Sequence, residues 1–256
     1  MHTNYVISLT SASTRREHIK NEFGRQNIPF EFFDALVPSL SLDNAINEHL
    51  PNLAQASLST GEKACFMSHY MLWQKCLNEN LPYIFIFEDD ILLGESAREF
   101  LNEEQWLEER FKSENFIIKL ETFLQPIRWE DSNIQPHESR SFKLLKSFHY
   151  GTAGYIISQQ AIKELINKLK QYETANLVAI DLLIFNIDTE NIYQITPAIC
   201  IQDTSNIESS LQQDRELLQR QNKKTKSIRE KIIHVLTKYK RLKEKKERIK
   251  HIIPFK

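Results

Sequence analysis

"IFIFEDDILL", residues 84–93, sets an uninterrupted run of β-branched and aromatic side chains directly against three adjacent carboxylates, Glu88, Asp89 and Asp90. A continuous apolar run of this kind reads as a strand buried on both faces, the habit of a parallel sheet enclosed by helices. Neighbouring carboxylates repel one another, and apolar surroundings raise the cost of their ionised forms. Side chains two apart in a strand share a face, so Glu88 and Asp90 form an acid–x–acid pair with Asp89 opposite. Open α/β sheets bind ligands outside the carboxyl ends of their strands. Hard oxygen ligands there suit Mg²⁺ or Mn²⁺, which offsets the repulsion and holds a diphosphate. The competing account is a solvated turn whose acids cap the next helix; the apolar run before them weighs against it.

Working outward, "NYVISLT" reads as a short buried strand, and Thr14–Glu17 ("TRRE") as a capping box opening a helix that runs to Gln26. "FEFFDAL" is a second strand. Ser59–Glu62 ("STGE") is another capping box, for a helix with Met67, Met71 and Trp73 on its core side that ends before Pro82. Residues 95–112 look helical, "NFIIKLE" is a strand, and "TFLQPIRWEDSNIQPHESR" a long polar loop. Ser158 caps the helix "QQAIKELINKLK", and "NIYQI" is a last strand before Pro197. Strands alternating with helices predict an α/β fold with a mostly parallel sheet.

Hydrophobic residues make up 41% of the 256-residue chain and aromatics 10%, which is globular and excludes a disordered polymer. Three cysteines, Cys65, Cys76 and Cys200, lack metal-finger spacing and read as reduced thiols in a cytosol. No run approaches a membrane span or a secretory leader. The net charge of −1 conceals an asymmetry: residues 213–256 carry 16 Lys and Arg against 5 acids, and residues 1–212 carry 17 against 29. The boundary expected from this is a catalytic domain over 1–205 and a basic helical tail over 206–256. In that tail Ile228, Ile232, Val235, Tyr239 and Leu242 recur at spacings of four and three, an apolar stripe suited to an anionic membrane surface.

"LSTGEKACFMSHYMLWQKCLNENLPYIFIFEDDILL" resembles the central block of glycosyltransferase family 25, the lipopolysaccharide and lipooligosaccharide glycosyltransferases. "YVISLTSASTRREHI" and "FFDAL" resemble its opening strand, Arg-bearing turn and second strand, and "HYGTAGYIIS" with "AIDLLIF" its later segments. The opening turn departs from the family in being rich in Ser and Thr, and Lys63 stands where an apolar residue is usual. The resemblance implies a GT-A-like, Rossmann-type fold and inverting transfer of a hexose from a UDP-sugar to a lipooligosaccharide hydroxyl. Galactose is the first expectation for that hexose and glucose the second. It further implies Mn²⁺ or Mg²⁺ at Glu88 and Asp90, and donor contacts from Arg15, His69, Glu88, Asp89, Gly151 and Thr152. An enzyme of this kind works in the cytoplasm, peripheral on the inner face of the bacterial inner membrane.

Asp181, an acid inside the apolar run "NLVAIDLLIF", is the candidate general base, with acceptor binding or a buried ion pair as alternatives. Glu121, at the end of "IIKLE", is an acceptor-binding candidate, with a surface ion pair as its alternative. His69 is equally a satisfied core histidine. A metal-dependent nucleic-acid-processing protein is the rival of another class, but the acidic body opposes nucleic acid. A non-catalytic sugar-binding relative is the third account.

Overall fold

The structure, a computed structural model, describes residues 4–112, 115–185, 191–203 and 251–256. The chain opens with β1 (Asn4–Ser8), α1 (Ser13–Gly24), β2 (Phe30–Asp34), α2 (Leu40–His49) and α3 (Thr60–Asn78). Next come β3 (Tyr83–Glu88), β4 (Ile91–Leu93), the short α4 (Arg98–Leu101) and α5 (Gln105–Arg110), β5 (Ile117–Lys119) and β6 (Glu121–Thr122). The remaining elements are β7 (Trp129–Asp131), β8 (Ser141–Leu145), β9 (Gly154–Ser158), α6 (Gln159–Gln171), α7 (Ile180–Ile184), β10 (Ile192–Thr196) and β11 (Cys200–Gln202).

The large sheet runs β2-β1-β3-β9-β5-β10-β8-β7. Six of its eight strands point the same way, and only β8 and β9 oppose them. Two-residue alternation supplies two cores. Tyr5, Ile7, Ile84 and Ile86 join α2, α3, α6 and α7 on one face, while Val6, Phe85 and Phe87 join α1, α4 and α5 on the other. This is the helix–sheet–helix layering expected from the alternating pattern. Burying each of those side chains contributes about 1.5–3 kcal/mol.

The Ser59 capping box forms as expected: its hydroxyl accepts from the Glu62 N–H, and the Glu62 carboxylate accepts from the Ser59 N–H. The Thr14–Glu17 box does not. Helix α1 already begins at Ser13, and Ala12 stands at its N-cap without a side-chain hydrogen bond. A turn from the Ala12 N–H to the Leu9 carbonyl fixes that entry instead. Residues 95–112 form two short helices in place of one, and the long polar loop contains an edge strand, β7, paired with β8.

Strand β3 ends at Glu88, Asp89 and Asp90 make a turn, and β4 continues in a second sheet, β4-β11-β6. The expected strand alternation through Glu88–Asp90 therefore stops two residues early. Most of the expected tail, residues 206–250, lies outside the described residues. The final six lie against the body: Ile127 bridges His251, Ala198 bridges Phe255, and Ile253 is buried. Buried Arg140 donates to the carbonyls of Glu95, Pro197 and Lys256. A Cβ on Gly94 would fall 2.0 Å from the Lys256 oxygen, so only glycine admits this strand of chain. Among the described residues no helix is long and apolar enough to cross a membrane.

Candidate active site

The carboxyl ends of β1, β3 and β5 converge on one edge, because these three strands point the same way. Between β1 and β3 the order 2-1-3 makes a topological switch point, where connections leave to opposite faces and a crevice opens. Asp89 sits there, buried, with both oxygens engaged: Ser8 Oγ donates to Oδ2 at 2.6 Å and Arg15 Nη1 to Oδ1 at 3.1 Å. Asp89 thus positions Arg15 and the end of β1. Arg16, the neighbouring arginine, instead caps the Ser8 and Leu9 carbonyls and pairs with Asp34.

Glu88 points to the α3 side. Thr152 Oγ1 donates to Glu88 Oε1 at 2.6 Å, and His69 Nε2 lies 3.4 Å from the same oxygen without an aligned hydrogen bond. His69 is fully buried, stacked at 5.7 Å on Tyr155, whose hydroxyl meets Nδ1 at 3.0 Å and accepts from Trp73 Nε1 at 3.0 Å. His69 Nε2 faces Glu88, and the tautomer protonated there is the one in which Nδ1 accepts from the Tyr155 hydroxyl. Burial alone would raise the Glu88 carboxyl, but the adjacent His69 and Thr152 hold it below its ordinary range.

Asp90 is the strained member. Its Oδ1 is buried with no hydrogen-bond partner, and its backbone carbonyl accepts from the Asp203 N–H at 2.7 Å. Burial, then the charges of Glu88 and Asp89, push its carboxyl up to about 8 despite Arg15. Glu121 repeats the pattern: it is fully buried, Oε2 has no partner, and burial raises it to about 7 against the pull of Lys119. The expected surface ion pair at Glu121 is therefore a wholly buried one, with Lys119 Nζ 2.7 Å from Oε1. Lys119 also donates to the Gly151 carbonyl and lies 4.1 Å from the Phe185 ring centre. A lysine inside "FIIKLE" was the sequence signal for this residue, since an alkylammonium is costly in a buried strand unless it is paired.

Gly151 closes the pocket. With φ at +89° and a would-be Cβ 2.6 Å from Glu121 Oε1, it lets backbone reach the carboxylates where no side chain fits. Its N–H donates to Asp181 Oδ2 at 3.3 Å, which brings Asp181, in the first turn of α7, to the Gly151 side of the pocket. Asp181 is therefore on a helix and partly exposed, so the buried ion pair weighed as its alternative does not form among the described residues.

All the candidates, Arg15, His69, Glu88, Asp89, Asp90, Glu121, Gly151, Thr152 and Asp181, thus lie in one chain of contacts. Two donor sets could hold a cation. Glu88 and Asp90 are oxygen ligands with an orphaned buried atom, fitting Mn²⁺ or Mg²⁺. Cys65, His69 and Glu88 place ligand atoms within 4.8 Å of one another, a softer set that suits zinc. A cavity of about 470 Å³ lined by Tyr83, Phe116 and Gln159 opens at the opposite ends of β3, β5 and β9, away from these carboxylates.

Residues 1–184 match the profile of glycosyltransferase family 25 (LPS biosynthesis protein). The chain is 48% identical to the lipooligosaccharide biosynthesis protein lic2B of Haemophilus influenzae, with the whole of both chains covered. It is 46% identical to the lacto-N-neotetraose biosynthesis glycosyltransferase LgtE of Neisseria gonorrhoeae, over 83% of this chain and 81% of that one. It is 42% identical to LgtB of Neisseria meningitidis serogroup B, which carries the same description, over 98% of this chain and 99% of that one.

Proposed function

The chain belongs to glycosyltransferase family 25, and from that premise we propose that it moves a hexose from a UDP-sugar to a hydroxyl of a lipooligosaccharide core sugar, with inversion at the anomeric carbon. Galactose is the first candidate and glucose the second. The coarser assignment, a glycosyltransferase of lipooligosaccharide biosynthesis, rests on the family match and on relatives aligned end to end. The observation that carries the finer one is the buried, unpartnered Asp90 Oδ1 beside Glu88, a pair that a divalent cation would relieve.

Glu88 and Asp90 would hold that cation, and when bound it supplies positive charge against the departing diphosphate. Arg15, fixed by Asp89 at the switch point, faces the nucleotide side of the crevice and offers a guanidinium to phosphate oxygens. Thr152 and His69 orient the Glu88 carboxylate. Asp181, on the Gly151 side of the pocket, takes the acceptor proton as the acceptor oxygen bonds to the anomeric carbon and the sugar–phosphate bond breaks. Lys119 holds the Glu121 carboxylate and the Gly151 carbonyl together, which keeps the loop before β9 against the acids.

A screen of UDP-sugars with truncated lipooligosaccharide, in Mn²⁺ and in EDTA, tests this. One UDP-hexose should be consumed in Mn²⁺ only, and NMR of the product should show an inverted anomer. Full turnover in EDTA would overturn the metal assignment, and a retained anomer the displacement. We extend the proposal to place: the basic stretch after residue 205 holds the enzyme on the cytoplasmic face of the inner membrane, since a lipid-linked acceptor must be met at the bilayer. Anionic vesicles should bind the protein at low salt and release it at high salt; indifference to them would sink the membrane role.

A further inference from the structure

Eight large hydrophobic residues are exposed among the described residues, and five cluster in sequence around the acids just described. Phe123 and Leu124 follow Glu121, Tyr150 precedes Gly151, and Val178 and Leu182 flank Asp181. Those three anchors are one place in space, because Gly151 N–H donates to Asp181 Oδ2 and the Gly151 backbone lies against the Glu121 carboxylate. Apolar surface concentrated at the mouth of a polar pocket marks a binding site more strongly than scattered exposed residues do.

The patch is also held in shape. Phe148 meets Tyr150 edge-on at 4.6 Å and 87°, and Phe123 stands 6.3 Å from Tyr150. The loops carrying these rings are stitched underneath. The Phe123 N–H donates to Nε2 of buried His149 at 3.2 Å, and Gln125 Nε2 to the Phe148 carbonyl at 3.1 Å. His149 Nδ1 meets Gln194 Oε1 at 2.8 Å, so an Nδ1–H donor and an Nε2 acceptor satisfy both ring nitrogens. Leu124 sits at φ +49°, a left-handed conformation that costs a non-glycine residue and that tends to persist where a site needs it.

Sheet order decides which substrate the patch faces. Arg15 and Asp89 lie on the β1 side of Glu88, whereas Gly151 and Glu121 belong to the β9 and β5 side. The nucleotide crevice and the aromatic patch are therefore on opposite flanks of the Glu88–Asp90 pair. We infer that Phe123 and Tyr150, with Leu124, Val178 and Leu182 around them, form the acceptor subsite, on which the apolar C–H face of a hexopyranose stacks while its hydroxyls reach Glu121 and Asp181. A pyranose suits such a surface because one face is hydrocarbon and its edge is a ring of hydroxyls. The inference rests on the assignment of Glu88 and Asp90 to the donor diphosphate.

Tyr150→Ala and Phe123→Ala, each checked for an unchanged melting temperature, are the test, with Tyr150→Phe as the conservative control. The probes are Mn²⁺ with UDP, and the soluble core oligosaccharide of de-acylated lipooligosaccharide. The alanine variants should raise the acceptor KM about tenfold and leave the Kd for UDP in Mn²⁺ unchanged, and Tyr150→Phe, which keeps the stacking ring, should raise that KM much less than Tyr150→Ala. Saturation-transfer NMR on the oligosaccharide alone should lose its ring-proton signal in Tyr150→Ala. An unchanged acceptor KM and NMR signal, or a weakened UDP Kd, would overturn the subsite; loss of vesicle binding alone would make the patch a membrane contact and overturn it equally. If wild type fails to bind UDP in Mn²⁺ while the NMR signal still depends on Tyr150, the donor assignment falls and the subsite stands.

Discussion

Replacing Asp90 with asparagine should make the metal-free protein more stable while abolishing its response to Mn²⁺. The carboxyl is pushed from 3.8 to about 8 by burial and by Glu88 and Asp89. In the unfolded chain it loses its proton near 3.8, whereas the folded chain keeps it until about 8. Across that window the unfolded state binds fewer protons, so this group makes the metal-free fold less stable as pH rises from about 4 to about 8, and no further above that. At about 1.4 kcal/mol for each pKa unit, the cost at neutral pH is on the order of 4 kcal/mol. Asparagine keeps the shape, removes the charge and adds an N–H₂ that can donate to Glu88. Thermal unfolding in EDTA at neutral pH should therefore show a variant melting on the order of 10 °C above wild type, and the gap should close at about pH 4. Mn²⁺ at a hundred times its Kd should stabilise wild type by about 2.7 kcal/mol and leave the variant where it was. A variant that melts below wild type in EDTA, or that Mn²⁺ stabilises as strongly, would refute the account of Asp90 as a charge awaiting a cation.

Asp181→Asn should lower kcat by roughly 10²–10⁴-fold, with UDP affinity and melting temperature kept; a rise in acceptor KM alone would make it a binder instead. Lys119→Met should destabilise by about 3–5 kcal/mol by leaving Glu121 buried without its partner. Adding Glu121→Gln should restore most of that loss in urea titrations, and a double variant no better than the single one would mean the pair is not the source. Gly151→Ala should cost about 1–3 kcal/mol from its positive φ alone, beyond the clash with Glu121, and an unaltered urea midpoint would count against the close approach described.

Much of this was legible because local and global signals agree. "YIFIF" alternates into two cores, and that alternation announces helices on both faces. Ser59 and Glu62 cap each other through hydrogen bonds within four residues, so a local pattern suffices to announce them. The Thr14–Glu17 match misled because the strand end and a turn at Leu9 set the helix start, which no four-residue pattern encodes. Strand direction was hidden too: β8 and β9 are antiparallel, yet a strand's period of two is the same either way. Strand β7 exists through its pairing with β8, and "WED" carries little signal of its own. At the site, the candidate acids stand out because they lie within or directly after apolar runs, but the turn at Asp89–Asp90 changes sheets, so which oxygens are engaged depends on Ser8 and Arg15 far away in sequence. Lys119 belongs to no motif, although the cost of burying it is readable from "IIK". The aromatic rings at the mouth were invisible because exposure is a property of the folded surface.

The docked residues 251–256 are built into the small sheet rather than laid over it. Thr122 Oγ1 donates to the Ile253 carbonyl, Arg140 reaches the Lys256 oxygen, and Gly94 leaves the space that Lys256 fills. Removing these six residues would uncover Ile253 and strip Thr122 and Arg140 of acceptors they hold inside the body, so the far end of the chain helps to hold up the strands that carry Glu121 and follow Asp90.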